Sequence, residues 1–183
     1  MHADIERILL GEREIHAGIE RVAREITGAY GSEEPTLVSV LGGSVVFVAD
    51  LIRLLPIPLR LGFVQARSYG KGTQPGSLEL GALPPEEDLF GRRVLLVDDI
   101  LDSGRTLAAI RGELLARGAL EVRTCVLLDK RARRAVELEA DHVGFEVEDH
   151  FVVGFGLDFA GRYRNLPYLG VLKPQVLAAE ATK

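Results

Sequence analysis

Three carboxylates stand beside a turn suited to an anion. Asp98, Asp99 and Asp102 fall within VLLVDDILDSGRTLAAI, residues Val94 to Ile110. The apolar run Val94 to Val97 has the character of a buried strand. Thr106, followed by Leu107, Ile110 and Leu114, starts a helical periodicity. Between them lies Ser103-Gly104-Arg105-Thr106, a small-polar and glycine turn opening a helix. Such a turn offers unpaired backbone N–H groups and the positive end of the helix dipole, which suit a phosphate. The three acids would repel a bare phosphate, so the ligand must also carry groups that want carboxylates.

Three phosphate-binding systems share part of this pattern and fail on the rest. No G-x-x-x-x-G-K-[ST] occurs anywhere in the chain, which excludes a P-loop NTPase. A signalling receiver domain carries its acid pair near its start, whereas Asp98 and Asp99 stand past the middle of this chain. GFGLDFAG, from Gly154, has the wrong glycine spacing for a dinucleotide fold.

The string as a whole resembles the phosphoribosyl pyrophosphate signature of the type I phosphoribosyltransferases: an apolar strand, two acids, two aliphatics, an acid, then a small-Gly-basic-Thr turn. That resemblance implies a 5-phosphate on Ser103, Gly104, Arg105 and Thr106, a ribose whose hydroxyls donate to Asp98 and Asp99, and a pyrophosphate carrying Mg2+. From Leu41 to Gln175 the order of blocks is similar to the hypoxanthine-guanine branch: LGGS, RSYG, the signature, LLDKRARR, GFEVEDHFVVGFGLD and RYRNLPYLGVLKP. It implies that Lys130 bonds the purine 6-oxo group, that Phe151 stacks on the base and that Val152 meets it through its backbone. It further implies metal ligation by Asp98, Asp99 and Asp158, pyrophosphate contacts from Gly42, Gly43 and Arg164, a lid carrying Ser68 and Tyr69, and proton transfer from the purine by Asp102. The partners it implies are phosphoribosyl pyrophosphate and a 6-oxopurine, in a homodimer or homotetramer.

Taken singly, these residues have plainer readings. Lys130 heads a basic run with Arg131, Arg133 and Arg134 that on charge alone is a solvated loop. Phe151 alternates with Val153 and Phe155 as a core residue would, and Asp158 and Arg164 could form a surface ion pair of little energetic weight. Only the joint order of the blocks favours the site. His142 and His150 lack metal-ligand spacing and read as ordinary polar residues. A rival reading is a regulator of this fold that senses phosphoribosyl pyrophosphate and binds RNA or DNA; Lys130, Phe151 and the lack of an added nucleic-acid domain favour the enzyme. One departure stands out: most relatives carry lysine where this chain has Gly42. There glycine would give the turn its freedom and close phosphate approach, with the missing charge supplied by Arg164, Arg67 or Lys71.

The elements that must hold these residues alternate. Ile15, Ile19, Val22 and Ile26 mark an amphipathic helix; TLVSVL is a strand and SVVFVADLIRLL a helix closed by Pro56. Further strands are expected at Leu59–Ala66, Val94–Val97, Val122–Leu128, Val143–Val147 and Phe151–Phe155, with a helix from Thr106 to Gly118. This order predicts an α/β fold, a mainly parallel twisted sheet flanked by helices, with ligands beyond the carboxyl ends of the strands. The resemblance adds a flexible lid loop at about 67–91 and a small purine-binding hood. The segment from Gly70 to Gly91 holds five glycines and three prolines, which marks it as a functional loop or a solvated hairpin.

With 183 residues, 47% hydrophobic and 27% charged, the sequence predicts one globular domain over 1–183. The uncharged stretch Thr36 to Ala49 is too short to span a membrane, and the charged N-terminus lacks a signal-peptide core, so a cytoplasmic protein is expected. Net charge of -5 argues against a general nucleic-acid binder. The single cysteine, Cys125, lies in an apolar run and reads as a small core residue.

Overall fold

The computed structural model describes residues 2–68 and 78–181. In chain order the strands are β1 (Ile5–Leu10), β2 (Thr36–Leu41), β3 (Arg60–Ser68), β4 (Leu78–Leu80), β5 (Arg93–Leu101), β6 (Glu121–Asp129), β7 (His142–Glu146), β8 (Val152–Val153) and β9 (Leu169–Leu172). The helices are α1 (Glu12–Tyr30), α2 (Ser44–Arg53), α3 (Arg105–Ala116) and α4 (Pro174–Ala181). Six strands form one sheet in the order β4-β3-β2-β5-β6-β7, parallel except for β4, and β1-β9-β8 form a second, antiparallel sheet.

The parallel strands are covered on both faces, so their sequences are near-continuous apolar runs. On one face Leu37, Leu95, Val97, Cys125 and Leu127 pack under the α1 stripe of Ile15, Ile19, Val22 and Ile26 and under Phe47 and Leu51 of α2. Gly18 is required in that stripe, since a Cβ there would stand 2.3 Å from Phe145. On the other face Val38, Val40, Leu96, Val122 and Val126 meet Leu107, Ile110 and Leu114 of α3.

Some expectations need correction. The strand expected at Phe151–Phe155 is only two residues long, because Gly154, Phe155 and Gly156 all take positive φ (99°, 46° and 99°) and turn the chain away. β1, β9 and α4 carry no clear pattern in sequence, yet β1 and β9 build the second sheet, with its own small core of Ile5, Val153, Tyr163 and Leu172. The segment read as a lid is partly packed structure. Leu78–Leu80 pairs antiparallel with Ala66–Ser68, Pro84 lies over Gly62, and Leu89 is fully buried.

Candidate active site

β2 and β5 lie side by side, but the chain proceeds from β2 to β3 on one side and from β5 to β6 on the other. This reversal opens a crevice beyond the carboxyl ends of the two strands, the usual ligand position in such sheets. The Leu41-Gly42-Gly43 turn leaves β2 there, with a cis peptide bond between Leu41 and Gly42. Asp98 and Asp99 are on the last part of β5, and Asp102 follows its end at Leu101.

A pocket of about 230 Å3 is lined by Asp98, Asp99, Asp102, Ser103, Gly104 and Thr106, among others. Gly104 caps α3 in the left-handed region (φ 81°), and a Cβ on it would stand 2.9 Å from Val136. Gly104 offers no side chain to cap α3, and the first turn of the helix lines this pocket through Thr106 and Leu107, a position suited to an anion. Arg105 is the first residue of the helix, and its N–H lies 3.4 Å from Ser103 Oγ.

The acid pair is electrostatically strained. Asp99 N–H donates to Asp98 Oδ1 at 2.9 Å. Burial first, and then the neighbouring Asp99 charge, push Asp98 well above the ordinary carboxylate range. Burial also raises Asp99, while Asp98 and Arg164 act against that rise. Two acids so placed ionise readily only when a cation or hydroxyl donors compensate them.

A second pocket, about 210 Å3, adjoins the first through Asp99, Ile100 and Asp102 and is also lined by Lys130, Arg133, Phe151, Val152, Leu157 and Asp158. The β5–β6 register brings this about: Leu101 pairs with Asp129, so Asp102 and Lys130 leave the sheet at the same level. Lys130 N–H donates to Leu101 O at 3.0 Å, and Lys130 is only 5% exposed, which excludes the solvated-loop reading. Burial lowers its pKa, with the Asp102 charge opposing. Phe151 is 41% exposed and stands edge-on to Phe159 at 5.1 Å, so it is a pocket wall and not core. Val152 is buried in β8, paired with Val171.

Arg164 closes the far side. Its Nη1 donates to Gly156 O at 2.6 Å, its Nη2 meets Asp158 Oδ1 at 2.6 Å, and Asp158 Oδ2 accepts from Gly161 N–H at 2.7 Å. Gly156 is needed because a Cβ would fall 2.0 Å from Gly43 O. The two glycines of this turn differ in the room around them. A Cβ on Gly43 would stand 1.5 Å from Asp99 Oδ2, whereas a Cβ on Gly42 would meet nothing nearer than Arg164 Nη2 at 4.0 Å. Nor is Gly42 in the left-handed region. The guanidinium of Arg164 therefore lies over this turn. Ser68 ends β3, and Tyr69 and Lys71 lie outside the described residues.

The profile of the phosphoribosyl transferase domain matches residues 9–160. The chain belongs to the phosphoribosyltransferase family.

Within this family the chain is 41% identical over 176 residues to the hypoxanthine-guanine phosphoribosyltransferase of Bacillus subtilis, covering 96% of this chain and 98% of that protein. It is 44% identical over 180 residues to a bifunctional TilS/HprT protein of Listeria monocytogenes, where it spans 96% of its own length and 27% of the relative's. A solved hypoxanthine phosphoribosyltransferase of Staphylococcus aureus superposes with a TM-score of 0.91 at 36% identity, over 96% of each chain. That of Trypanosoma cruzi, as a variant complexed with the product IMP, superposes with a TM-score of 0.90 at 34% identity, over 100% of this chain and 91% of that one.

Sequence reasoning placed Asp129 and the basic run at a strand end by this phosphoribosyltransferase crevice but missed the acid–base pairings that hold them. Asp149 pairs with Arg133 at 2.8 Å and lies 4.0 Å from Lys130 Nζ. Buried Asp129 pairs with Arg134, whose other nitrogen donates to Leu138 O at 3.1 Å. The available signal was the basic run following one strand end beside an acid following the neighbouring strand end.

Proposed function

We propose that the chain works in purine salvage, transferring the 5-phosphoribosyl group of phosphoribosyl pyrophosphate to N9 of a 6-oxopurine and giving IMP or GMP with release of pyrophosphate. The observation that carries this reading is the pair of adjoining pockets sharing Asp99, Ile100 and Asp102. One is the helix-capped acidic cradle; the other is lined by buried Lys130 and by exposed Phe151. A sugar phosphate and a base seated in them meet above Asp102.

In this reading the Ser103–Thr106 turn and the α3 N-terminus hold the 5-phosphate, and Asp98 and Asp99 accept from the ribose hydroxyls. Gly42 and Gly43 approach the pyrophosphate by their backbone and Arg164 by charge. Lys130 donates to the purine 6-oxo group, Phe151 stacks on the ring, and Val152 contributes backbone. The N9–C1 bond forms as the C1–oxygen bond to pyrophosphate breaks, and Asp102 takes the proton from the purine ring. Because the sugar acquires oxocarbenium character, the chain's work is positioning and electrostatic stabilisation.

Mg2+ fits this acid set. Asp98 and Asp99 line one pocket and raise each other's need for a compensating cation, and magnesium characteristically takes one or two carboxylates and completes its shell with substrate oxygens and water. Asp98 and Asp99 would hold one ion, and Asp158 a second on the base side. Bound there, Mg2+ supplies charge neutralisation of the pyrophosphate leaving group. No helix among the described residues is long and apolar enough to cross a membrane. The same reading carries a single working domain in the cytoplasm, a homodimer or homotetramer, and no nucleic-acid partner.

Purified protein incubated with phosphoribosyl pyrophosphate, Mg2+ and hypoxanthine or guanine should form the nucleotide. Adenine should not react, because its exocyclic amine sets a donor against Lys130. Equal turnover of adenine would overturn the purine assignment.

A further inference from the structure

Arg133 looks like a surface charge in sequence, yet it bridges two acids on different elements. It lies on the turn after β6, in a short 3-10 stretch, Arg131–Arg133. Its Nε reaches Asp149 Oδ1 at 2.8 Å, and its Nη1 stands 3.6 Å from Asp102 Oδ2. Asp102 needs such a partner. Arg133 stands by its Oδ2, its Oδ1 is buried with no hydrogen-bond partner, and among the described residues no other ion pair holds it beyond the end of β5. Asp149, the other end of the bridge, is also the acid next to Lys130 and lies two residues before Phe151. Arg133 itself lines the base pocket together with Asp102, Lys130 and Phe151.

We infer that Arg133 is a positioning residue for phosphoribosyl transfer: anchored by Asp149, it fixes the Asp102 carboxylate opposite the purine pocket and ties that acid to the base-recognition loop. This rests on the function proposed above. The planar guanidinium suits the task because its separate N–H groups can address two carboxylates at once in fixed geometry, which a lysine ammonium does less well. A helix or strand could not do this directly, since Asp102 and Asp149 come from segments distant in sequence. Loss of Arg133 leaves Asp102 in place chemically but free to leave the productive orientation. A misplacement of this kind lowers the rate of the chemical step without weakening donor binding.

The test is a double-mutant cycle on steady-state kinetics with hypoxanthine. Arg133→Met should lower kcat by about 3- to 30-fold, a fraction of the ~10²- to 10⁴-fold that a positioned acid–base group contributes. The KM for phosphoribosyl pyrophosphate should stay within about twofold, because Arg133 does not line the donor pocket and the acid pair Asp98 and Asp99 is left in place. In an Asp102→Asn background the same change should alter kcat by no more than about twofold, since nothing remains to position. Arg133→Lys should recover part of the loss, and Asp149→Asn should show the same dependence on Asp102; these two variants carry the test if Arg133→Met does not fold. Multiplicative effects of Arg133 and Asp102, or a donor KM that rises with unchanged kcat, overturn the positioning role while leaving the proposed activity intact. A wild-type protein with no turnover of any 6-oxopurine overturns the activity, and this role with it.

Discussion

Gly43→Ala isolates the packing on which the acid pair depends. Gly43 lies in ordinary helical space (φ -69°, ψ -36°), so alanine strains no backbone there. At such a site the smaller freedom of the unfolded chain favours alanine by about 0.4 to 1 kcal/mol. Against this, the new Cβ would stand 1.5 Å from Asp99 Oδ2 and 2.6 Å from its Cγ. Since Cγ is involved, Asp99 must change χ1 and not merely swing its carboxylate, at a cost of about 0.5 to 1.5 kcal/mol. The two terms nearly cancel, so thermal stability should change by less than about 1 kcal/mol. Function should not be spared. Moving Asp99 removes a charged hydrogen-bonding partner of the donor, worth about 1.5 to 3 kcal/mol, so kcat/KM for phosphoribosyl pyrophosphate should fall by about 10- to 150-fold. Gly42→Ala is the control: its Cβ meets only Arg164 Nη2, at 4.0 Å, and kcat/KM should stay within about threefold. The same space should admit Gly42→Lys, at no more than about 1 to 2 kcal/mol in donor affinity. Kinetics with the donor varied at saturating hypoxanthine, paired with thermal melts, read both quantities. Wild-type donor kinetics in Gly43→Ala, or equal damage from Gly42→Ala, would refute the reasoning.

Four further outcomes are expected. Asp102→Asn should lower kcat by about 10- to 10³-fold with little change in donor KM, and an unchanged kcat would remove Asp102 from the mechanism. Lys130→Met should weaken purine binding by about 1.5 to 3 kcal/mol through loss of a charge-assisted hydrogen bond; calorimetry showing an unaltered Kd would contradict its role. Without Mg2+ or donor, the raised pKa of Asp98 means that its contribution to stability is full below the unfolded value near pH 4 and is lost as pH rises through the folded value. Asp98→Asn should therefore match wild type near pH 4 and melt higher than wild type at pH 8, and parallel Tm curves would count against this. His142 has the opposite sign: burial depresses its pKa, and its Nε2 has no partner among the described residues. Its contribution is present above about pH 6.5 and is lost as pH falls through the folded value, so urea unfolding should show a decline of up to about 1.4 kcal/mol per pH unit that His142→Gln flattens.

The sequence by itself determined the strand-to-helix unit that carries the chemistry, because every part of it is local. Val94 to Val97 forms the buried strand, Gly104 the left-handed cap and Leu107, Ile110 and Leu114 the buried face of α3. The parallel sheet was legible for the same reason, since strands buried on both faces spell continuous apolar runs. The second sheet was not: β1 and β9 are short, and their burial depends on each other across most of the chain. Tertiary structure alone decided which side chains of mixed character belong to the site. Lys130 and Arg133 share one basic run, but the Leu101–Asp129 register buries the first and turns the second toward Asp102. It likewise decided between two adjacent glycines. Gly42 and Gly43 are alike in a string of letters, and only the position of Asp99, reached through the pairing of β2 with β5, leaves no room for a side chain on Gly43. Periodicity and turn chemistry act over a few residues and can be read along the chain, whereas register and close approach arise between segments that the chain brings together only on folding.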